Sequence, residues 1–178
     1  MQDFQLAKDF DLDVMVTNLS NSLGVLTDKQ PILLVFLRHF GCTFCREAID
    51  ELSNKKAAIE SAGSRIVFVH MAEDDVAQSF FQQYNFPDAE YISDIMCTFY
   101  KEFGLVKGST NQLFGLKNWA RTVETGIVKG YSWGREIGDG FQMPGVFLLR
   151  NRAIQESYIH KYVSERPDYA KMAECCRI

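Results

Sequence analysis

Two cysteines three positions apart, Cys42 and Cys45, are the residues of this sequence best suited to do chemistry. They follow an apolar run and open a segment of helical periodicity, which predicts that they lie at the start of a helix. Residues three apart in a helical turn have Cβ atoms about 5–6 Å from each other, and a disulfide needs a similar separation. The pair can therefore form and break a disulfide with little backbone movement.

A helix start also makes one of these thiols reactive. The unpaired amides there, with roughly half a positive charge, stabilise an anion, so we expect a lowered pKa and a nucleophilic thiolate at Cys42. Cys42, nearer the exposed turn, is expected to attack a disulfide or to be oxidised, and Cys45 to resolve the intermediate. Arg46 adds positive charge beside the pair, and Thr43 and Phe44 between the cysteines are expected to contact substrate.

A zinc site is the main alternative use of this spacing. Structural zinc has four ligands, usually two such cysteine pairs or one pair with histidines. The other candidate ligands are His39, His70, His160, Cys97 and the adjacent Cys175 and Cys176. None of them repeats a ligand spacing, so we predict a redox pair with no metal and no cofactor. Inert thiols are the remaining alternative, and Cys97, on an apolar helix face, is expected to be a small buried side chain.

The elements predicted around the cysteines alternate between strands and helices. Six apolar residues in a row at 32–37 indicate a strand covered on both faces, and the residues from Cys45 to Ile59 include apolar positions at helical spacing. Further strands are predicted at residues 66–69, 91–92, 146–149 and 153–158, the last two as a hairpin, with helices near residues 76–84, 95–103 and 168–176. This order predicts an α/β fold with a central mixed sheet, mainly parallel, that is flanked by helices.

The chain is predicted to be a single domain, residues 1–178, with an insertion at about residues 104–141. A short helix is expected near residues 116–123. The insertion contains Trp119 and Trp133 together with Lys117, Arg121 and Lys129. These side chains either shape a lip around the substrate or anchor a long loop on the core.

Composition limits the classes of partner. Of the 178 residues, 47% are hydrophobic and 24% charged, with a net charge of −4 and a pI of about 5.4, which argues against a broad surface for nucleic acid or anionic membrane. The longest apolar run, residues 32–37, is too short to span a bilayer, and residues 1–13 lack the pattern of a secretory signal. Five cysteines, an odd number, without such a signal predict free thiols in a reducing cytoplasm.

Three stretches of the sequence have residue patterns that resemble those of a known protein family. They are residues 33–52, LLVFLRHFGCTFCREAIDEL; residues 138–147, GDGFQMPGVF; and residues 164–169, SERPDY. With these stretches the chain resembles, over about residues 31–176, the peroxiredoxin-like AhpC/TSA family that includes selenoprotein-U relatives. The resemblance implies a thioredoxin-like fold and a thiol redox role. It also implies that Pro144 is the cis-proline that such proteins place opposite the dithiol, and that Met143 and Pro144 line a groove where substrate docks.

The chain departs from these patterns in two ways. Typical peroxiredoxins have threonine or serine three residues before the peroxide-reducing cysteine. That position is His39 for Cys42, and Cys42 for Cys45, so the hydroxyl that helps to hold peroxide is absent in both cases. Typical thioredoxins have a buried aspartate six residues before the first cysteine, where this chain has Phe36. A proton acceptor for Cys45 must then come from elsewhere, and the nearest candidates are Glu47 and His39, whose ordinary pKa is about 6.5.

These features lead to three functional hypotheses. The first is a thiol-disulfide oxidoreductase, in which Cys42 forms a mixed disulfide and Cys45 releases it. The second is a thiol peroxidase, in which a hydroperoxide oxidises Cys42 to a sulfenic acid that condenses with Cys45, or with a tail thiol at Cys175 or Cys176. The third is a non-catalytic redox-sensing module. Expected partners are protein or small-molecule disulfides, hydroperoxides and a thiol reductant such as thioredoxin or glutathione, with no nucleic acid and no membrane.

Overall fold

The computed structural model describes residues 6–7, 9–110, 112 and 138–175. This part of the chain contains the strands β1 (Ile32–Phe36), β2 (Arg65–His70), β3 (Tyr91–Ser93), β4 (Gly145–Arg150) and β5 (Ala153–Ile159). Its α-helices are α1 (Leu23–Lys29), α2 (Thr43–Ser61), α3 (Asp74–Gln83), α4 (Thr98–Glu102) and α5 (Tyr169–Glu174), and a 3-10 turn spans Leu12–Val14. None of these helices is long and apolar enough to cross a membrane.

The five strands form one mixed sheet in the order β3-β2-β1-β4-β5. β2 is parallel to both β1 and β3, whereas β4 is antiparallel to both β1 and β5. The predicted α/β fold with a central mixed sheet and a closing hairpin is confirmed. The expectation of a mainly parallel sheet is wrong, because the hairpin enters the sheet beside β1 and makes the pairings of β4 antiparallel.

Alternate residues of β1 point into two apolar cores, because successive side chains of a strand face opposite sides of the sheet. One core lies under α2, α3 and α5 and includes Leu33, Val35, Ile49, Phe81 and Tyr169. The other lies under α1 and α4 and includes Ile32, Leu34, Phe36, Leu26 and Tyr100. All five residues of β1 are buried, which explains the unbroken apolar run. The helix α2 is thereby fixed on one face of the sheet, with its first residue close to the carboxyl end of the central strand.

The two ends of the predicted insertion lie side by side. Lys107 forms an antiparallel bridge with Gln142, and the amide of Gly108 donates to the carbonyl of Phe141 at 2.8 Å. The chain therefore leaves and re-enters the fold at one place. Residues 113–137 lie outside the described part of the chain. The short helix expected near residues 116–123 falls there, and so do the side chains expected to shape a lip or to anchor the loop: Lys117, Trp119, Arg121, Lys129 and Trp133.

The peptide bond between Met143 and Pro144 is trans, as are the other described peptide bonds, so the expectation of a cis-proline is wrong. An X-Pro bond ordinarily prefers the trans form by about 0.5–1 kcal/mol. Pro144 also stands immediately before β4, where the amide that proline lacks is not required by the sheet. Its carbonyl accepts a hydrogen bond from the amide of His160 at 3.4 Å, which ties the start of β4 to the residue after β5.

Candidate active site

Cys42 and Cys45 lie at the start of α2, directly after the connection that leaves β1. Cys42 is the N-cap residue of this 19-residue helix. Its carbonyl accepts hydrogen bonds from the amides of Cys45 at 3.1 Å and Arg46 at 3.2 Å, so the first helical turn is closed around the pair. Both cysteines are free thiols. The sulfurs thus stand at the end of the central strand, where the helix begins.

Both cysteine side chains are buried, with exposures of 4% for Cys42 and 5% for Cys45. Residues 39–42 are all buried, so the expectation of an exposed turn beside Cys42 is wrong. The physical reason is tertiary: residues 160–169, which follow β5, contribute lining side chains to the same site and help to close it. Because these residues are distant in sequence from the cysteines, the local sequence around Cys42 and Cys45 does not indicate that the site is covered.

The two thiols have opposite pKa shifts. The S–H of Cys45 donates a hydrogen bond to the sulfur of Cys42, and this bond lowers the pKa of Cys42 well below its ordinary value. Burial opposes that shift, while the positive charge of Arg38 adds to it, and the nearby His39, which is itself buried, acts in the same direction. The same hydrogen bond, together with burial, raises the pKa of Cys45 well above its ordinary value. Of the two thiols, Cys42 is therefore the one that loses its proton more readily.

Arg38 is the cation at the sulfur pair. Its Nη1 lies 3.5 Å from the Sγ of Cys42, and its main-chain amide donates to the Sγ of Cys45 at 3.3 Å. Its Nη2 donates to the carbonyl of Gly140, which fixes the guanidinium in place. Sequence analysis missed Arg38, although one signal was present: an arginine directly follows the buried apolar run and precedes the turn that leads to Cys42.

Arg46, expected to stand beside the thiols, supports the preceding turn instead. Its Nε donates to the carbonyl of Phe40 at 3.1 Å. Its guanidinium lies over the rings of Phe80 at 5.7 Å and Tyr84 at 5.8 Å, which belong to α3 and its C-cap. Residues adjacent in sequence point to different sides of a helix, so Arg46 faces the aromatic rings, and the role expected of it belongs to Arg38.

The segment after β5, residues 160–169, forms one wall of the site. Nη2 of Arg166 donates to the carbonyl of Phe44, which stands between the two cysteines, and lies 3.2 Å from Oε2 of Glu47. The guanidinium also faces the ring of Phe44 at 5.7 Å. Glu47, weighed above as a proton acceptor for Cys45, is instead half of a buried ion pair. Sequence analysis noted part of this segment only as a resemblance, and nothing in it indicated contact with the cysteines.

A small cavity of about 20 Å³ lies beside the sulfurs. The side chains with polar atoms that line it are those of Arg38, Cys42, Cys45, His160, Arg166 and Tyr169. A cavity of this size holds about one water-sized molecule. Of the residues predicted to bind substrate, Phe44 and Pro144 line the cavity, whereas Thr43 and Met143 are buried elsewhere in the surrounding structure.

The other described cysteines lie apart from the cavity. Cys97 is buried, as expected of a small apolar side chain. Cys175 is exposed and follows α5, where the carbonyl of Ala173 accepts a hydrogen bond from Ser64, a residue just beyond the far end of α2. A 19-residue helix is about 28 Å long, so Cys175 is not placed to resolve an oxidised Cys42. Among the described residues, no group of three or more His, Cys, Asp or Glu side chains is arranged to hold a metal ion.

Cys175→Ser is therefore expected to leave the oxidation of Cys42 and Cys45 to a disulfide unchanged. The measurement is mass spectrometry of peptides from the oxidised protein. Because Cys176 lies outside the described residues, the double variant in which both tail cysteines are serine is the companion sample. A Cys42–Cys175 disulfide as the main product of wild-type oxidation would contradict this prediction.

Comparison with known proteins identifies relatives of this chain. The family model described as "AhpC/TSA antioxidant enzyme" matches residues 51–163, a stretch that begins after both cysteines. The thioredoxin-like protein AAED1, chloroplastic, of Arabidopsis thaliana is 32% identical over 66 residues. That match covers 37% of this chain and 27% of the Arabidopsis protein, so the chain matches about a quarter of the length of this curated relative.

Solved structures of peroxiredoxins share the fold. Peroxidoxin BcpB from Mycobacterium tuberculosis has a TM-score of 0.61 at 14% identity, covering 96% of this chain and 88% of that one. A cysteine-to-serine mutant of peroxiredoxin 6 from Arenicola marina has a TM-score of 0.67 at 8% identity, covering 96% and 70%. Peroxiredoxin Q from Xanthomonas campestris has a TM-score of 0.58 at 12% identity, covering 82% and 78%. At these identities the likeness establishes the fold alone, and the chemistry has to be argued from the residues of the site.

Proposed function

Because this chain belongs to the AhpC/TSA antioxidant enzyme family and has a peroxiredoxin-like thioredoxin fold, we propose that it is a dithiol peroxidase. In this proposal the thiolate of Cys42 reduces a small hydroperoxide, and Cys45 resolves the product as an intramolecular disulfide. The family supports the wider class of thiol-dependent oxidoreductase. The choice of a hydroperoxide over a disulfide as the oxidant is argued from the site.

The observation that carries the proposal is the guanidinium of Arg38 at the sulfur of Cys42, 3.5 Å from Nη1 to Sγ, within a small cavity. Peroxide reduction moves negative charge from the sulfur to the leaving oxygen. A fixed guanidinium stabilises the thiolate before the reaction and the leaving oxygen during it. Because Nη2 is held by the carbonyl of Gly140, little reorientation is needed at the moment of reaction.

The burial of both sulfurs favours a small oxidant. Cys42 is only 4% exposed, and the cavity beside it has a volume of about 20 Å³. Hydrogen peroxide is the hydroperoxide closest to that size. The disulfide of a folded protein, by contrast, reaches this sulfur only if the wall formed by residues 160–169 moves away.

The reaction proceeds in two balanced steps. The Sγ of Cys42 attacks the outer oxygen of the hydroperoxide: an S–O bond forms, the O–O bond breaks, the sulfur loses two electrons, and the leaving oxygen takes a proton from solvent. The thiol of Cys45 then displaces water from the sulfenic acid, and the disulfide forms. A dithiol, or two molecules of a monothiol acting in turn through a mixed disulfide, restores the pair by exchange and is itself oxidised to a disulfide. Thioredoxin or glutathione is the proposed reductant, in a compartment such as the cytoplasm that keeps thiols reduced.

Thiol-disulfide exchange is the second candidate function. It is favoured by the position of Cys42 at the N-cap of a 19-residue helix, because a helix start stabilises a thiolate whatever the oxidant. Rates of insulin-disulfide reduction and of hydroperoxide consumption, measured on the same sample with the same reductant, rank the two functions. Stoichiometric oxidation without turnover would instead identify the third hypothesis, a redox-sensing module.

Replacing Cys45 with serine is expected to stop the peroxidase after one turnover. The serine hydroxyl still donates a hydrogen bond to Cys42, so the first step continues, but no second sulfur is present to form the disulfide. Hydrogen peroxide consumption with thioredoxin and its reductase measures turnover, and dimedone labelling with mass spectrometry detects the sulfenic acid at Cys42. Wild-type protein that consumes no hydroperoxide, or a Cys45→Ser variant that turns over at the wild-type rate, would contradict the proposal.

A further inference from the structure

The cavity beside Cys42 is rich in hydrogen-bond donors. Arg38 and Arg166 line it, and a guanidinium donates hydrogen bonds but does not accept them. A hydroperoxide brings an O–H of its own, and burying that O–H without an acceptor costs free energy. In this chain His39 holds the position at which peroxiredoxins supply a hydroxyl, and His39 does not line the cavity. A site for a hydroperoxide therefore needs an acceptor from another residue.

The imidazole of His160 is a side chain of the cavity that has an acceptor to offer. His160 directly follows β5, lines the cavity and is 5% exposed. Its Nδ1 is buried and has no hydrogen-bond partner among the residues that the structure describes. Burial, helped by the charge of Arg166, lowers the pKa of His160 to about 3. The ring is then neutral at ordinary pH, and a neutral imidazole keeps one nitrogen free to accept.

An unpartnered nitrogen alone does not single out His160, because His70 has one as well. Nε2 of His70 is buried without a hydrogen-bond partner in the described part of the chain, and burial lowers the pKa of His70 to about 4. His70, however, packs against the rings of Phe40 at 5.2 Å and Tyr91 at 4.9 Å and does not line the cavity. Position in the cavity, beside the reactive sulfur, distinguishes His160.

We propose that the imidazole of His160 accepts the hydrogen bond of the hydroperoxide O–H and so takes the place of the absent hydroxyl. The inference rests on the peroxidase function proposed above. With the O–H held by His160, the oxygen that bears it is presented to the Sγ of Cys42. The S–O bond forms as the O–O bond breaks, the held proton stays on the oxygen of the sulfenic acid, and the leaving oxygen takes a proton from solvent. His160 binds substrate and does not change its charge.

Two substitutions at His160 test this role. His160→Phe removes the acceptor and keeps a ring of similar size, whereas His160→Gln supplies an amide oxygen that accepts. We expect His160→Phe to raise the KM for hydrogen peroxide about tenfold, the loss of roughly one hydrogen bond, and His160→Gln to recover part of that loss. Iodoacetamide is larger than hydrogen peroxide and reaches Cys42 only when the wall formed by residues 160–169 moves, but it has no hydroperoxide O–H to be held. The rate of Cys42 alkylation therefore reports the integrity of the wall and is expected to stay near the wild-type value in both variants.

His70→Phe is the matched control, because it removes a buried imidazole outside the cavity, and it is expected to leave the KM unchanged. Far-UV circular dichroism checks that every variant folds. An equal loss of peroxide reduction and of alkylation in His160→Phe would indicate a structural role and overturn the inference. A rise in KM confined to Tyr169→Phe, which removes the phenol hydroxyl from the same cavity, would also overturn it. Wild-type protein that is alkylated at Cys42 but consumes no hydroperoxide would overturn the peroxidase function itself.

Discussion

Cys42→Ser is expected to reduce hydroperoxide consumption to the rate of buffer alone. A serine hydroxyl does not ionise near neutral pH, so Arg38 and the S–H of Cys45 have no anion to stabilise and no S–O bond forms. We do not expect Cys45 to substitute for the lost nucleophile, because burial raises its pKa. The loss is measured as peroxide remaining over time in the presence of thioredoxin and its reductase.

The same substitution at an exposed thiol, Cys175→Ser, is the matched control for Cys42→Ser and is expected to retain the wild-type rate. The pair of variants separates loss of the nucleophile from any general effect of removing a sulfur. If Cys42→Ser kept its activity and Cys45→Ser lost it, the assignment of thiolate and resolving thiol would be reversed. That outcome would contradict the opposite pKa shifts of the two cysteines.

Arg38→Ala is expected to slow hydroperoxide reduction at neutral pH by about 10²-fold, the typical cost of removing one fixed donor from a buried reaction site. Two effects act in the same direction. Arg38 lowers the pKa of Cys42, so its removal raises that pKa and leaves a smaller fraction of thiolate. The leaving oxygen also loses its stabilising charge. The second-order rate constant for hydrogen peroxide, measured by stopped-flow fluorescence, quantifies the loss.

The pH profile of the Arg38 variants separates these two effects. Because the pKa of Cys42 rises when the guanidinium is removed, the midpoint of thiolate absorbance near 240 nm is expected to move to higher pH. The rate deficit should be largest below that midpoint and smaller above it. Arg38→Lys keeps the charge without the planar fork, so we expect it to preserve more of the pKa shift than of the rate. Arg152→Ala is the control: it removes an exposed guanidinium that pairs with Asp13 and is expected to change neither the pKa of Cys42 nor the rate. A midpoint that does not move in Arg38→Ala would contradict the prediction.

The parts of the fold that follow local rules could be predicted from the sequence. The apolar run at residues 32–37 identified β1, because a strand buried on both faces is apolar at every position. The apolar spacing after Cys42 identified α2, because a helix buried on one side is apolar at every third or fourth position. The hairpin of β4 and β5 followed from the turn between two apolar strands, and Asn151 and Arg152 take positive φ there. The position of the cysteines at the helix start was predictable for the same reason.

The parts of the site that depend on distant residues could not be predicted. Arg166 reaches the carbonyl of Phe44 from 122 positions away, and His160 enters the cavity only because β5 pairs with β4 and ends beside Pro144. The burial of Cys42 follows from the same contacts. The cis-proline was inferred by resemblance, and the local backbone of this chain keeps the ordinary trans form. These contacts join residues that are distant in sequence and depend on tertiary packing, so the local sequence at either residue does not predict them.

The wall formed by residues 160–169 also has a consequence for the kinetics of the molecule. The ladder hydrogen bonds of all five strands lie outside this segment, so we expect the segment to detach in a local fluctuation that costs less free energy than global unfolding. For the peroxidase proposed above, we expect a small hydroperoxide to reach Cys42 without this movement, and a bulky reductant to reach the disulfide only while the segment is detached. Oxidation of Cys42 and reduction of the disulfide are then expected to have separate rate limits. The frequency of the fluctuation is expected to be the upper limit on the rate at which the disulfide is reduced.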